Sequence, residues 1–236
     1  MRQIEKIVRE LTKVESYADG WVLRAGGHLI YGYHFDVNDA AADKLCDDKS
    51  ATYEVLSAAG IPAIVHVFVS VDTREALEQL TEGGYVVKPN EGTGGVDLVR
   101  AETLSALTEC VAQQLQKFPR LAVSPFEKIE TEYRVIVLRG RVELIYAKRL
   151  PSDGWLFNLG QGAQAEVIAE NAALSELARG AARVLGVTFA SVDIVDARGV
   201  LKVLEVNSGV MMETFSSLSA ENFERAKEIY KKALEV

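Results

Sequence analysis

The stretch that most restricts how this chain can fold runs over 190–215, ASVDIVDARGVLKVLEVNSGVMMETF. Two apolar-rich runs flank Ala197-Arg198-Gly199, a spacing that predicts a β-hairpin whose three-residue loop ends on a left-handed glycine. That loop pairs Asp196 with Val200 and Asp193 with Val203. Side chains alternate between faces along a strand, so Asp193, Glu205 and Asn207 fall on one side of the ribbon. Two carboxylates and an amide oxygen on rigid strands form a hard oxygen cluster suited to Mg²⁺ holding phosphates. The alternative is three solvated polar residues on an exposed sheet face.

A chain of 236 residues can bury a real core, as one large domain or two small lobes. The net charge of -8, with basic residues scattered, argues against a nucleic-acid partner. No apolar run approaches the ~20 residues that cross a bilayer, so no membrane partner is expected. The first fifteen residues are amphipathic and charged throughout, unlike a signal peptide. Cys46 and Cys110 sit far apart in helical patterns and are expected to be reduced in a cytoplasmic protein. His28, His34 and His66 share no ligand spacing with the cysteines, which leaves no zinc motif.

Along the chain, apolar positions at Ile4, Ile7, Val8, Leu11 and Val14 predict a helix over 2–16. Short strands follow at 21–25 and 28–33 around Gly26-Gly27. Asn38 or Asp39 caps a helix through Cys46, and Asp48 caps another from Lys49 to Ala59. A buried strand spans 63–71, with His66 read as a packed histidine. Asp72 caps a helix to Glu82. Further helices are expected at 103–117, 171–185 and 220–235.

YVVKPNEGTGGVDLVRA, 85–101, predicts a strand ending in Lys88-Pro89, a glycine-rich loop over Glu91, Gly92, Thr93, Gly94 and Gly95, and a strand from Val96. Glycines let backbone N–H groups turn toward an anion, and Lys88 adds a fixed charge. The Walker pattern does not fit, because the lysine precedes the glycines and a strand follows them. A hairpin tip beside a surface lysine is the alternative.

The run 121–126 is read as a strand. EYRVIVL (132–138) and RVELIYAKRL (141–150) flank the hairpin signal Arg139-Gly140. Pairing Leu138 with Arg141 sets Glu132 against Ala147 and puts Glu132, Arg134 and Arg149 on one face. That face is either the wet side of a sheet or a cleft wall with a ribose acceptor, Glu132, and a phosphate-binding cation, Arg149. The polar, glycine-rich run 151–163, which includes Asn158, reads as a loop that closes over a site.

The order Lys49, Lys88 with its glycines, Glu132, Arg149, Asn158, Asp193 and then Glu205-Val206-Asn207-Ser208-Gly209 resembles the ATP-grasp superfamily. Within it the chain is similar to ribosomal-protein glutamate ligases, cyanophycin synthetase and glutathione synthetase, over roughly residues 44–215. The resemblance implies an α+β, ATP-grasp fold, with two lobes whose antiparallel sheets grip ATP. It implies a small lobe at 46–125 and a large lobe at 126–236, preceded by an N-terminal helix and short strands at 1–45. Lys49 and Lys88 would contact phosphates, and the loop 91–95 would fold over them. Ser124, Pro125, Phe126 and Glu127 would line the adenine slot, and Glu132 would hold the ribose. Arg149, with Lys88, would serve the transferring phosphoryl group. Asp193, Glu205 and Asn207 would hold two Mg²⁺ ions, for which Mn²⁺ can substitute.

The implied activity is ATP-dependent ligation of a small-molecule or peptide carboxylate to an amine through an acyl phosphate. The alternatives are an ATP-grasp phosphotransferase and a non-catalytic ATP-binding regulatory subunit. Two departures stand out. The residues before Lys49 are too few for the N-terminal domain that relatives carry, so that domain is read as truncated. The acceptor site is then expected from 17–36 (Arg24, His34 and Asp36), from a second subunit of a homo-oligomer, or from a partner protein. The turn Ser208-Gly209-Val210 also lacks the proline usual after the asparagine.

Overall fold

The computed structural model describes residues 1–73, 77, 83–92, 97–150, 157 and 159–235. Three antiparallel sheets organise them. Helix α1 (Gln3–Leu11) leads into β1 (Val14–Tyr17), β2 (Val22–Ala25), β3 (His28–Tyr31) and β4 (His34–Phe35), a meander in that order. The helix is shorter than its apolar spacing suggests. Val14 fits the helical repeat but pairs with Ala25 across the sheet instead. Gly26 and Gly27, both at positive φ (59° and 88°), make the tight turn between β2 and β3.

Helices α2 (Ala40–Asp47) and α3 (Lys49–Ala58) are capped by Asp39, which accepts from Ala41 N, and by Asp48, which accepts from Ala51 N. Asn38 is taken up elsewhere, accepting from the N–H groups of Thr188 and Phe189. The second sheet comprises β5 (Val67–Ser70), β6 (Tyr85–Pro89), β7 (Val99–Ala101) and β8 (Arg120–Pro125), ordered β5-β8-β6-β7. Helix α4 (Leu104–Gln114) covers it, burying Leu107 and Val111 against Val69, Tyr85, Val87, Leu121 and Val123. β5 is shorter than the expected 63–71 because Ala63 leaves to bridge Val203 of another sheet. β7 spans Val99–Ala101, and the expected strand start at Val96 lies outside the described residues. The helix expected over 72–82 falls largely outside the described residues.

The third sheet is built from β9 (Thr131–Leu138), β10 (Arg141–Arg149), β11 (Gln164–Val167), β12 (Phe189–Ala197) and β13 (Val200–Asn207), in the order β11-β10-β9-β12-β13. Behind it lies α5 (Ala172–Leu185), capped by Asn171 and stopped by left-handed Gly186. The back-face residues Val135, Val137, Ile145, Val192 and Ile194 pack there with Leu174, Ala178, Ala181 and Leu185. Leu56 of α3 joins the same cluster, so α3, expected with the small lobe, packs behind the five-stranded sheet. The front face packs partly on α1, α6 (Glu213–Ser217), α7 (Ala220–Leu234) and the N-terminal sheet, through Ile136, Leu138, Leu144, Tyr146 and Phe189.

Two β-bulges displace the registers expected from the sequence. The β12–β13 hairpin turns on two residues, Arg198 (φ 57°) and Gly199 (φ 80°), with Ala197 opposite Val200. Leu204 is then an extra residue, and Asp193 faces Glu205 rather than Val203. On β10, Leu138 does pair with Arg141, but Glu143 is extra and Glu132 meets Lys148 rather than Ala147. A bulge reverses which face each following side chain takes, so both shifts bear on the site.

Candidate active site

The front face of the five-stranded sheet carries its polar residues where the apolar packing stops. Register partners share a face, so Glu132 lies with Lys148, Arg134 with Tyr146 and Asp193, and Asp193 with Glu205. Ser191 opposite Asn207 continues the row. The expected side for Asp193, Glu205 and Asn207 is therefore the observed one, although the pairing differs.

Four of these groups form a buried ion network. Arg134 Nε and Nη2 donate to the two Asp193 oxygens at 2.8 and 2.6 Å. Lys148 Nζ donates to Asp193 Oδ1 at 3.0 Å and also contacts the Glu132 carboxylate. Burial disfavours a charge on Asp193, but Arg134 and then Lys148 outweigh it and hold its carboxyl well below the usual range. Burial pushes the Glu132 carboxyl up, against the pull of Lys148. Sequence reasoning placed Arg134 on this face without giving it work, and it missed Lys148. No local signal marks the bulge at Glu143 that turns Lys148 inward.

That bulge also corrects Arg149. Its side chain leaves on the opposite face from Lys148 and donates to Glu166 Oε2 at 2.8 Å, at the protein surface. The cation that the sequence assigned to the phosphoryl group is thus on the back, and Lys148 occupies the front.

The second wall comes from the four-stranded sheet. Lys88, in β6, is buried and pairs with no carboxylate among the described residues. Burial lowers its ammonium to about 8; the Glu205 charge opposes that shift, Lys49 adds to it, and Glu132 opposes it weakly. These influences place Lys88, Lys49, Glu205 and Glu132 around one space. Lys49 opens α3 and donates to Gly92 O at 2.6 Å, while Asn90 Oδ1 accepts from Ser50 N (3.1 Å) and Ser50 Oγ (2.8 Å). The start of the glycine-rich loop is thereby tied to the α3 N-terminus. Gly92 sits at φ 125°, which suits glycine, and Glu91 pairs with Arg120. Thr93, Gly94, Gly95 and Asn158 lie outside the described residues, as does most of the 151–163 run.

The strand end expected to line an adenine slot borders a groove of about 380 Å³, whose walls include Phe126, Glu127, Val200 and Lys202. Arg100 lies over the Phe126 ring at 3.6 Å, and Lys202 donates to both Glu127 oxygens at 2.7 Å. Pro125 closes β8 opposite Tyr85, and Ser124 is buried with its hydroxyl 2.5 Å from His66 Nδ1. Burial and the nearby Lys88 keep His66 well below the ordinary histidine range, and so uncharged.

The metal expectation can be tested on the donor set. Among the described residues no three His, Cys, Asp or Glu side chains stand close enough to hold an ion by themselves. Both Asp193 oxygens are engaged by cations, whereas among the described residues the side chains of Glu205 and Asn207 hydrogen-bond only each other, at 3.2 Å. A carboxylate and an amide oxygen suit Mg²⁺, which takes one or two carboxylates and fills its shell with phosphate and water.

Of the acceptor candidates, His34 is the one the fold brings to this end. It bridges Gly209, two residues after Asn207, and its Nδ1 lies 3.4 Å from Ser208 Oγ. A β-carbon on Gly209 would sit 2.7 Å from His34 Nε2, so that position has room only for glycine while the ring stays in place. Asp36 pairs with His28, and Arg24 approaches Glu15 at 4.0 Å on the N-terminal sheet.

Comparison with known families matches residues 46–231 to the RimK-like ATP-grasp domain. The chain belongs to the RimK-like ATP-grasp family. This ATP-grasp chain is 26% identical over 192 residues to a probable alpha-L-glutamate ligase of Psychromonas ingrahamii, covering 80% of this chain and 64% of that protein. It is 31% identical over 165 residues to a protein of the same name from Xanthomonas euvesicatoria, covering 68% and 56%. It thus spans less than two thirds of either relative. Among solved structures, the D-alanine–D-alanine ligase of Bacillus anthracis superposes with a TM-score of 0.62 at 17% identity, over 84% of this chain and 71% of that one. D-cycloserine synthetase DcsG gives 0.63 at 20% identity, over 81% and 71%. Likeness at that identity speaks for the fold, and the fold is α+β with antiparallel sheets, as the ATP-grasp resemblance implies. No helix among the described residues is long and apolar enough to cross a membrane.

Proposed function

We propose that this ATP-grasp protein is an ATP-dependent carboxylate–amine ligase acting through an acyl phosphate. The observation that carries the reading is that buried Lys88 and half-buried Lys49, neither in an ion pair among the described residues, both feel the charge of Glu205, which hydrogen-bonds Asn207. A nucleotide tail supplies the negative charge this space lacks. The names of the sequence relatives favour glutamate as one of the two substrates.

In the first step a carboxylate oxygen attacks the γ-phosphorus, an O–P bond forms, and the bond to the bridging oxygen breaks to release ADP. In the second the amine attacks the acyl carbon, phosphate leaves, and the amine proton passes to solvent. Negative charge gathers on the phosphoryl oxygens and then on the tetrahedral carbon's oxygen. Fixed cations that meet such charge contribute most to the rate. Lys88 and Lys148 fill that role, Lys49 orders the loop start, and Glu132 holds the ribose. Glu205 and Asn207 would hold Mg²⁺, which supplies charge neutralisation on the phosphates when bound. Asp193 keeps Arg134 and Lys148 fixed and is the third ligand only where a phosphate takes over those cations. The acceptor enters past His34 and Ser208.

The test is ADP release with Mg²⁺ across a panel of amino acids, glutamate first, with hydroxylamine as surrogate nucleophile. Hydroxamate is expected. A stable phosphorylated product without amide would point to a phosphotransferase, and nucleotide binding without turnover to a regulatory subunit. Either result overturns the proposal.

A further inference from the structure

Residues 62–66 cross from the edge of one sheet to the start of another. Val203 N donates to Pro62 O and Ile64 N to Val203 O, both at 2.8 Å, so this segment runs along β13. One residue further, β13 has its bulge at Leu204, and the Leu204 carbonyl faces His66 Nε2 at 3.1 Å. The other ring nitrogen, Nδ1, meets Ser124 Oγ of β8 at 2.5 Å. A nitrogen facing a carbonyl must carry the proton, so Nδ1 accepts from the serine hydroxyl. The ring is 4% exposed and lies edge-on to Tyr53 of α3, centroids 6.5 Å apart. Burying an imidazole is unfavourable unless both nitrogens are satisfied, and here each is satisfied by a different sheet.

We propose that His66 is a positioning residue that sets the spacing between the two sheets facing the nucleotide. Its bond to Ser124 holds β8 where it pairs with Val86, two residues before Lys88. Its bond to Leu204 holds the backbone immediately before Glu205. The distance from the Lys88 ammonium to the Glu205 carboxylate therefore depends on a side chain outside the residues assigned to the nucleotide and metal, alongside the tie between Asn90 and α3. The inference rests on the nucleotide-site reading above and extends it to a residue outside the site.

Two substitutions separate positioning from plain core packing. His66→Gln keeps one donor and one acceptor, whereas His66→Leu fills the space with neither. A positioning role predicts that His66→Leu weakens binding of a non-hydrolysable ATP analogue with Mg²⁺ about tenfold or more, while His66→Gln stays within about threefold of wild type. Ser124→Ala, which removes one bond of the two, falls between them. Isothermal calorimetry on the full chain reads all four proteins, and ¹H–¹⁵N spectra of the wild-type ring should show the proton on Nε2. The inference is overturned if His66→Leu binds like wild type, if His66→Gln loses as much as His66→Leu, or if the proton is on Nδ1. A wild-type chain that binds no nucleotide overturns the nucleotide-site reading and this inference together, an outcome distinct from those three.

Discussion

Asp193 and Arg134 face each other on adjacent strands as a two-pronged ion pair, 2.8 and 2.6 Å, with the carboxylate almost wholly inside the protein. Lys148 is the only other cation among the described residues that reaches Asp193. Breaking one arm of such a network leaves a buried charge short of partners, which commonly costs about 3–5 kcal/mol. Arg134→Met is expected to lower unfolding free energy by roughly that amount in urea titration. A loss below about 1 kcal/mol would mean that water reaches the network, contrary to the observed burial.

Lys148 and Arg149 are neighbours in sequence on opposite faces of β10, and their substitutions should differ accordingly. Lys148→Gln is expected to slow ADP release by about a hundredfold to a thousandfold, the usual cost of about 3–4 kcal/mol for a fixed group at the reacting centre. Arg149→Ala removes an exposed pair with Glu166 and should stay within about threefold, since such pairs contribute about 0–1 kcal/mol. Initial rates of ADP release, with circular dichroism as a folding control, decide between them. Equal losses would return Arg149 to the cleft.

Lys88 should make nucleotide binding consume protons. Burial sets the free ammonium at about 8, and phosphates beside it raise that value. Between about pH 8 and about pH 10 the complex therefore holds a proton that the free protein has lost, and affinity falls as pH rises through that window. For folding the sign is the opposite. Lys88 is lower in the native than in the unfolded chain, so its contribution to the ligand-free protein's stability increases with pH across those values. Calorimetry near pH 9 in two buffers of different ionisation enthalpy is expected to show uptake approaching one proton, lost in Lys88→Met. Zero uptake by the wild type would remove Lys88 from the phosphates.

Glu213 caps a helix that lies 209 and 210 residues before it in sequence. Its two oxygens accept from Gln3 N at 2.8 Å and Ile4 N at 2.9 Å, while Arg2, at the N-cap position, makes no side-chain cap bond. Glu213→Ala is expected to cost about 1–2 kcal/mol and to speed hydrogen exchange in the first turns of α1. Unchanged exchange there would show that the cap adds nothing to the packing of Ile4, Ile7 and Val8.

Much of this protein follows from short-range rules. Asp39, Asp48, Thr103, Asn171 and Ser219 each cap a helix because a side-chain oxygen three or fewer residues away can reach a free N–H. Gly26-Gly27 and Gly140 place their turns because few residues other than glycine tolerate positive φ. The side taken by Asp193, Glu205 and Asn207 came out as expected because the bulge at Leu204 offsets a turn one residue shorter than the sequence suggested.

What the local pattern could not reach is where a ladder gains a residue. The bulges at Glu143 and Leu204 have no composition of their own. They are settled by which side chains pack on α5 behind the sheet and which meet the N-terminal elements in front. The extra residue Glu143 turned Arg149 outward and Lys148 inward, and the extra residue Leu204 brought Asp193 opposite Glu205. The cap from Glu213, the seat of His34 on Gly209 and the placing of His66 between two sheets likewise join residues distant in sequence. Sequence determined the elements and the chemistry available on them, because those depend on neighbours along the chain. Tertiary packing decided which of those groups meet, because burial and hydrogen-bond satisfaction are properties of the folded whole.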